Sequence, residues 1–354
     1  MIHFDITKAG GARHRSGLTR LSERLRGELG AAATAGAWTD ARRHAGAGDW
    51  FVTAEQFSEE ERPGFGDFLR ARRCRTAAIF ADAIPLKFPQ ITWPQSVARH
   101  PHYMKLLAEF DRVWAISAAS RDELLDYWRW LELTRVPPVE VLPLGADFDG
   151  TPRATRAPAA TCHTLYDKGD CHIIYDNGAR ALLAVGIVEP RKNQTLLLDV
   201  CEGLWGEGRR FELHVVGRVN PHFGKPIAAR MKGLRKKFAG LHFHEAAGDR
   251  ELAALYAAAR ATVCPTIAEG CGLPLLESLW HGVPCVCSDL PVLRENAEGG
   301  GCVPVPVNDR TAWTAALRRV LADDAEHARL VREATTRALP TWAEAAKQLR
   351  RGLE

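Results

Sequence analysis

No apolar run in this 354-residue chain approaches the roughly 18 residues that a membrane-spanning helix needs. The opening MIHFDITKAGG also lacks the apolar core of a secretory signal, so a cytoplasmic protein is expected. Cysteine forms no framework: the nine residues are odd in number and scattered. Cys264, Cys285 and Cys287 fall within expected strands, where reduced, buried thiols are the natural reading. A surplus of charge is missing as well. The formal balance of +4 is too mild to argue for nucleic acid, though it permits peripheral contact with an anionic membrane or a phosphorylated acceptor. What is present, 46% hydrophobic and 25% charged residues, is ordinary for a soluble globular protein long enough for two domains.

The stretch Cys264 to Asp289, CPTIAEGCGLPLLESLWHGVPCVCSD, reads as a strand, a glycine-bearing loop, a short helix and a second strand. The apolar run from Ala261 ends at Pro265, Gly270 and Gly272 frame a turn, and Pro274 suits the first helical position. The amides of Cys271, Gly272 and Leu273 then lie at a helix N-terminus, where unpaired donors and the helix dipole favour an anion such as phosphate. Glu277, one turn in, leans back toward that anion. Like charges repel, so Glu277 is expected to accept hydrogen bonds from neutral hydroxyls, as is Glu269 ahead of the glycines. Two hydroxyl-binding carboxylates around a phosphate-binding turn suggest a sugar nucleotide; two solvated glutamates on an ordinary loop and helix are the plain alternative.

Glu269 and Glu277, with EGCGLPLLES between and around them and GVPCVCSDLPVLRE after them, resemble the E-x7-E segment of the retaining glycosyltransferases of family 4. VGIVEPRKN, from Val185 to Asn193, is similar to the family's VG-x-x-x-P-x-KN segment. The resemblance implies an α/β chain of the GT-B class, two Rossmann-like domains facing a central cleft. It also implies that Glu269 meets the transferred sugar, Glu277 the ribose and Lys192 the diphosphate. Many members carry arginine directly after the glycine where this chain has Ile187, so Arg191 is the candidate for the missing charge. Such cations are needed because retaining transfer releases a diphosphate whose developing charge must be stabilised. FELHVVGR matches the family's strand end near the nucleotide at Gly217, and His244 to Ala247 are expected near the base.

In the first half, Ile2 to Ile6 is an expected strand, and Leu18, Leu21, Leu25 and Leu29 recur at helical spacing. Gly10, Gly11 and Gly17 before and at the start of that helix fit a plain turn as well as a loop approaching phosphate or acceptor. Ala31 to Gly48, rich in alanine and glycine, points to no element. Ala77 to Phe80, Val113 to Ile116 and Val139 to Leu142 read as buried parallel strands. Ser120 to Glu123 reads as a capping box. Ligands gather at the carboxyl ends of strands in open parallel sheets, which makes Asp82 and Ser117 candidates for the site. DAIPLKFP from Asp82 is similar to the family's HD-x-IPL-x-x-P segment, with Ala81 where many members have histidine. His100 or His102 could offer an imidazole instead, although a surface histidine is the simpler reading.

Asp147 and Asp149 make a D-x-D, a metal pattern in another glycosyltransferase fold. The segment instead resembles the GAD strand end of this family, whose members bind diphosphate without metal; no metal and no cofactor are expected. Thr151 to Asn177 reads as an interdomain linker. Its Cys162, His163, Cys171 and His172 could surround zinc, but adjacent Cys-His pairs are not the usual ligand spacing. Asn193 is expected to lead one helix, and Asp249 to cap another with Leu252, Leu255, Tyr256 and Ala259 inward. Lys225 to Lys237, with six basic residues and no acidic one, is most simply a solvated face and otherwise a contact for anionic lipid or acceptor. Three helical stretches close the chain, the last capped by Thr341 to Glu344.

The domains expected are 1–160 on the acceptor side, 161–335 for the donor nucleotide, and a terminal helix over 336–354 that crosses back with Trp342, Leu349 and Leu353. The expected activity is retaining, metal-independent transfer of a mannose- or glucose-type sugar from a nucleoside diphosphate to a hydroxyl of a glycan or lipid-linked sugar. An epimerase or hydrolase of the same fold, or a non-catalytic sugar-nucleotide-binding partner, is the alternative.

Overall fold

Short apolar runs ending in Gly, Pro, Asp or Ser become the strands of two parallel sheets. A computed structural model of the protein describes residues 1–11, 17–147, 150–155 and 180–354, and the backbone of 164–167 and 170–173. Asp149, Cys162 and His163 lie outside the described residues, as do the side chains of Cys171 and His172. The chain divides into one unit of Met1–Gly145 with Pro340–Glu354 and a second of Ala146–Leu339. The division thus falls at Gly145 and Leu339, ahead of the linker that composition suggests and a little beyond residue 335.

The first unit is built on β1 (Ile2–Asp5), β2 (Ala33–Gly36), β3 (Trp50–Thr53), β4 (Arg75–Phe80), β5 (Arg112–Ala115) and β6 (Val139–Val141), in the order β2-β1-β3-β4-β5-β6. β2 and the helix Trp38–His44 lie in the alanine- and glycine-rich stretch where composition points to no element. Aromatic side chains fill one side of this sheet: Phe65 packs edge-on to Trp38 with centroids 5.3 Å apart, and Phe57 to Tyr103 at 5.0 Å. The leucine-spaced helix forms as Gly17–Leu29, burying Leu21, Leu25 and Leu29. The final helix, Trp342–Leu353, carries the expected capping box of Thr341 and Glu344 and packs in this unit with Trp342, Leu349 and Leu353 buried. Gly352 allows its close passage, since a Cβ there would stand 2.6 Å from Trp114 Cζ2.

Between the units' sheets in sequence, β7 (Thr164–Asp167) and β8 (Asp170–Ile173) pair antiparallel. The second unit follows with β9 (Ala181–Val185), β10 (Glu212–Val216), β11 (Leu241–His244), β12 (Ala261–Cys264), β13 (Cys285–Ser288) and β14 (Cys302–Val305). Their order, β11-β10-β9-β12-β13-β14, is the doubly wound arrangement. Leu182, Leu213, Val215, Val263 and Val286 face the helices Gln194–Gly206, Lys225–Arg235 and Arg310–Ala322 across one core. Sequence order reverses between β9 and β12, and ligands of open α/β sheets bind outside the strand ends at such a switch point.

Two helix starts differ from the sequence reading. Ser117, not Ser120, caps the helix Ala118–Trp130, its side chain accepting the Ser120 amide at 3.0 Å. β5 ends at Ala115, so the earlier serine meets the chain first as it leaves the sheet; the Ser120 hydroxyl turns instead to Ala81 O at 2.7 Å. Likewise Gly248 caps the helix Asp249–Ala258, and Asp249 is its first residue.

Candidate active site

The loops leaving β9 and β12 are tied together at the switch point. After β9, Pro190–Lys192 makes a single 3₁₀ turn, and Asn193, at φ 53° and ψ 34°, leads into the helix Gln194–Gly206. Asn193 takes the N-cap position, as expected, but its side chain donates to Asn308 Oδ1 (2.9 Å) and makes no cap hydrogen bond. Ile267 N donates to Arg191 O at 2.9 Å, and the buried Thr266 hydroxyl lies 2.9 Å from the carbonyls of both Arg191 and Ala268. Backbone bonds therefore set Arg191 and Lys192 beside Glu269, which follows β12.

Four charges meet there. The Glu269 carboxylate, 8% exposed, pairs with Lys192 Nζ through one oxygen and with Arg191 Nη1 at 3.2 Å through the other. Glu189, also buried, accepts Arg191 Nε at 2.9 Å and Asn220 Nδ2 at 2.9 Å. Burial works to raise the Glu269 carboxyl, but the neighbouring Lys192 and Arg191 charges outweigh it and hold the group below its ordinary range. Two cations facing two carboxylates leave this pocket close to neutral, with both cations next to the glycine loop.

That loop requires glycine where the chain turns into the helix Leu273–Trp280. Gly272 sits at φ +83°, and a Cβ on it would approach Leu293 Cδ2 to 2.5 Å. Leu273 is the first helical residue and Pro274 the second, one place later than the sequence suggests. The amides of Cys271, Gly272 and Leu273 precede the first helical hydrogen bonds, so none is used within the helix. Burial pushes the Cys271 thiol up to about 12, and the Asn296 side chain holds the Cys271 carbonyl at 2.5 Å.

Glu277 is more enclosed than its spacing suggests. It is buried, and Tyr256 donates its hydroxyl to Glu277 Oε2 at 2.9 Å. The Tyr256 ring lies flat against His281, with centroids 4.9 Å apart and 5° between planes. Sequence spacing marks Tyr256 only as an inward residue; the signal available was its hydroxyl, since a buried tyrosine needs a polar partner.

Gly217 and Gly186 cross closely where β9 and β10 end. A Cβ on Gly217, at φ +145°, would fall 2.1 Å from Gly186 O. Gly217 N donates to His244 O at 3.0 Å. The His244 ring is directed to His214 (3.0 Å) and Glu251 (2.8 Å).

In the first unit, the residues singled out by sequence lie at separate strand ends. Gly11 closes a 3₁₀ turn and Gly17 opens a helix, and neither has an atom within 4 Å of a would-be Cβ. The loop before Gly11 is held by Glu55, which accepts the amides of Lys8 and Ala9 at 2.8 Å. Glu55 is fixed in turn by the buried Arg62, which also pairs with Asp5 at 2.7 Å; this trio is spread over 57 positions and no local motif announces it. Asp82 accepts the Ile84 amide at 3.0 Å through Oδ1. Its carbonyl accepts from His100 Nε2 at 3.0 Å, and burial lowers His100 to about 4. His100 therefore props the Asp82 loop, and His102 is the exposed one of the two.

Two doubly wound α/β units, with cations, carboxylates and a glycine loop at the switch point of the second, define the GT-B class of glycosyltransferase folds. Residues 179–323, which lie in the second unit, match the family described as glycosyl transferases group 1. Over 237 residues the chain is 27% identical to the serotype-specific mannosyltransferase WbdA of Escherichia coli, a match covering 66% of this chain and 28% of that protein. The chain thus spans well under half the length of this relative. It is 36% identical over 143 residues to the O-antigen chain mannosyltransferase B of E. coli, 40% of this chain and 37% of the relative. Among solved structures, HepE of Anabaena in complex with UDP and glucose aligns with a TM-score of 0.70 at 13% identity, over 99% of this chain and 98% of that one. That likeness speaks for the fold.

Proposed function

We propose that the protein transfers a hexose, with mannose the first choice, from a nucleoside-diphosphate sugar to a hydroxyl of a glycan or lipid-linked sugar, with retention of configuration and without a metal. The observation that carries this reading is the meeting of Lys192, Arg191 and Glu269 beside the amides of Cys271, Gly272 and Leu273. The choice of mannose leans on the names of WbdA and mannosyltransferase B.

Lys192 and Arg191 take the diphosphate, with the loop amides completing its shell. A diphosphate arriving there competes with Glu269 for the two cations. The displaced carboxylate is then available to accept hydrogen bonds from the sugar hydroxyls. Glu277, fixed by Tyr256, accepts from the ribose, and the backbone between Gly217 and His244 faces the base. In the transfer step the bond from the anomeric carbon to the phosphate oxygen breaks. The acceptor oxygen bonds to that carbon on the same face, and its proton passes to a phosphate oxygen of the departing diphosphate. Lys192 and Arg191 stabilise the negative charge that develops on it.

The test is a panel of nucleoside-diphosphate sugars incubated with the full chain and oligomannoside acceptors, read by mass spectrometry of the acceptor and NMR of the new linkage. An acceptor heavier by one hexose with the donor's anomeric configuration supports the reading. Free sugar alone would make it a hydrolase, a changed nucleotide sugar an epimerase, and nucleotide binding without product a non-catalytic partner.

A further inference from the structure

The edge of the second sheet carries a cluster of imidazoles along the strands, apart from the loops just described. β10 and β11 pair with His214 opposite His242 and Val216 opposite His244. Period-two alternation therefore puts Glu212, His214, His242 and His244 on one face. The rings of His214 and His242 stack at 4.6 Å with 17° between planes. Glu212 Oε2 lies 3.0 Å from His214 Nε2, and one ligand atom each of Glu212, His214 and His242 falls within 4.8 Å of the other two. His242 Nε2 is buried with no hydrogen-bond partner, an uncommon state for a ring nitrogen.

Behind these groups runs a hydrogen-bond chain with a direction. Glu251 Oε1 lies 2.8 Å from His244 Nδ1, and His244 Nε2 lies 3.0 Å from His214 Nδ1. A carboxylate only accepts, so Nδ1 of His244 carries the proton and, in the neutral ring, Nε2 accepts from His214 Nδ1. A neutral His214 then presents the lone pair of Nε2 to Glu212 at 3.0 Å, acceptor against acceptor. That pair requires a cation, either a proton or a metal ion. The unpartnered nitrogen of His242 beside them favours the metal.

We propose that Glu212, His214 and His242 bind one divalent transition cation of the zinc class, with His244 and Glu251 supporting His214 from behind. Two imidazoles and a carboxylate are zinc-type ligands, and a metal-bound histidine commonly donates its other ring N–H to a further acceptor. Ligands at about 2.0–2.2 Å from zinc stand roughly 3.3 Å apart; Glu212 and His214, at 3.0 Å, need to part slightly and the His242 ring to close in from within 4.8 Å. Glu212 is 23% exposed, which gives the ion a way in and leaves a position for water. The ion fastens the edge strand β11 to β10 and takes no part in holding a diphosphate, so the inference stands apart from the proposed activity.

Titration of the full chain with Co²⁺, followed by visible spectroscopy, tests this, with Zn²⁺ added afterwards as competitor. The expected result is one equivalent, d–d absorption without a thiolate charge-transfer band, and displacement by Zn²⁺. Glu212→Gln and His242→Gln should each weaken binding at least tenfold, and Glu251→Gln about 10–100-fold. Zn²⁺ should raise the Tm of the wild type, and that rise should be lost in whichever of the first two variants matches its metal-free Tm. Binding unchanged in both of those variants, a thiolate-dominated spectrum, or no uptake would overturn the proposal, leaving a proton on His214 as the cation.

Discussion

Lys192 and Glu269, 77 positions apart, form an ion pair that joins the loop after β9 to the loop after β12. The same lysine that the proposed mechanism assigns to the diphosphate is thus occupied by the carboxylate it assigns to the sugar. Replacing Glu269 by Gln removes that competition. Calorimetry should show a nucleoside diphosphate binding Glu269→Gln as tightly as wild type or several-fold tighter, while transfer from the intact sugar nucleotide falls tenfold or more. Diphosphate affinity that drops together with transfer would mean that the pair serves to hold the loops and not to exchange partners.

Tyr256 reaches the proposed ribose site through Glu277. Tyr256→Phe keeps the ring against His281 and removes one charge-assisted hydrogen bond, a change expected to cost about 1.5–3 kcal/mol of stability. Denaturant unfolding reads that loss. Weakened nucleoside-diphosphate binding in the same variant, with binding of inorganic diphosphate unchanged, places the effect at the nucleoside end; equal weakening of both would remove Tyr256 from that role.

The glycines separate by geometry. Gly217→Ala puts a Cβ against Gly186 O in a backbone region that L-residues avoid, and should lower stability by about 3 kcal/mol or more. Gly11→Ala and Gly17→Ala meet no atom within 4 Å, and their Tm should stay within a few degrees of wild type. If transfer nevertheless falls in either, that loop approaches a substrate.

His100 makes stability depend on pH in a defined window. Its folded value, lowered to about 4 by burial, lies below the ordinary 6.5. Between those values the unfolded chain binds more protons, so unfolding free energy rises with pH, and it falls on acidification from 6.5 toward 4. The full shift corresponds to about 3 kcal/mol for this buried ring. His100→Gln should flatten the stability–pH curve in that interval; an unchanged slope would show that His100 titrates normally.

Much of the second unit was legible because its signals are local. Ala181–Val185 and Ala261–Cys264 are strands with the limits their apolar runs suggest, and the turn at Gly272 announces the helix after it. β2 was not legible: ATAG has neither bulk nor alternation, and it forms a strand only through its pairing with β1. Ser117 and Ser120 both satisfy the pattern of an N-cap, and only the end of β5 decides between them. Partners remote in sequence escaped altogether. The spacing of Glu269 to Glu277 suggests a ligand role for it but not its pairing with Lys192. Glu189 and Tyr256, which fix Arg191 and Glu277, carry no motif, and neither do Glu55 and Arg62 under the first loop.

The most direct measurement of the central claim is the turnover of Lys192→Ala with the nucleotide sugar and acceptor that the wild-type chain uses. Loss of a cation that stabilises the leaving diphosphate should lower turnover by about a hundredfold or more, in a variant that unfolds near the wild-type temperature. Turnover close to wild type would contradict the assignment of Lys192 to the leaving group, and with it the account of the site.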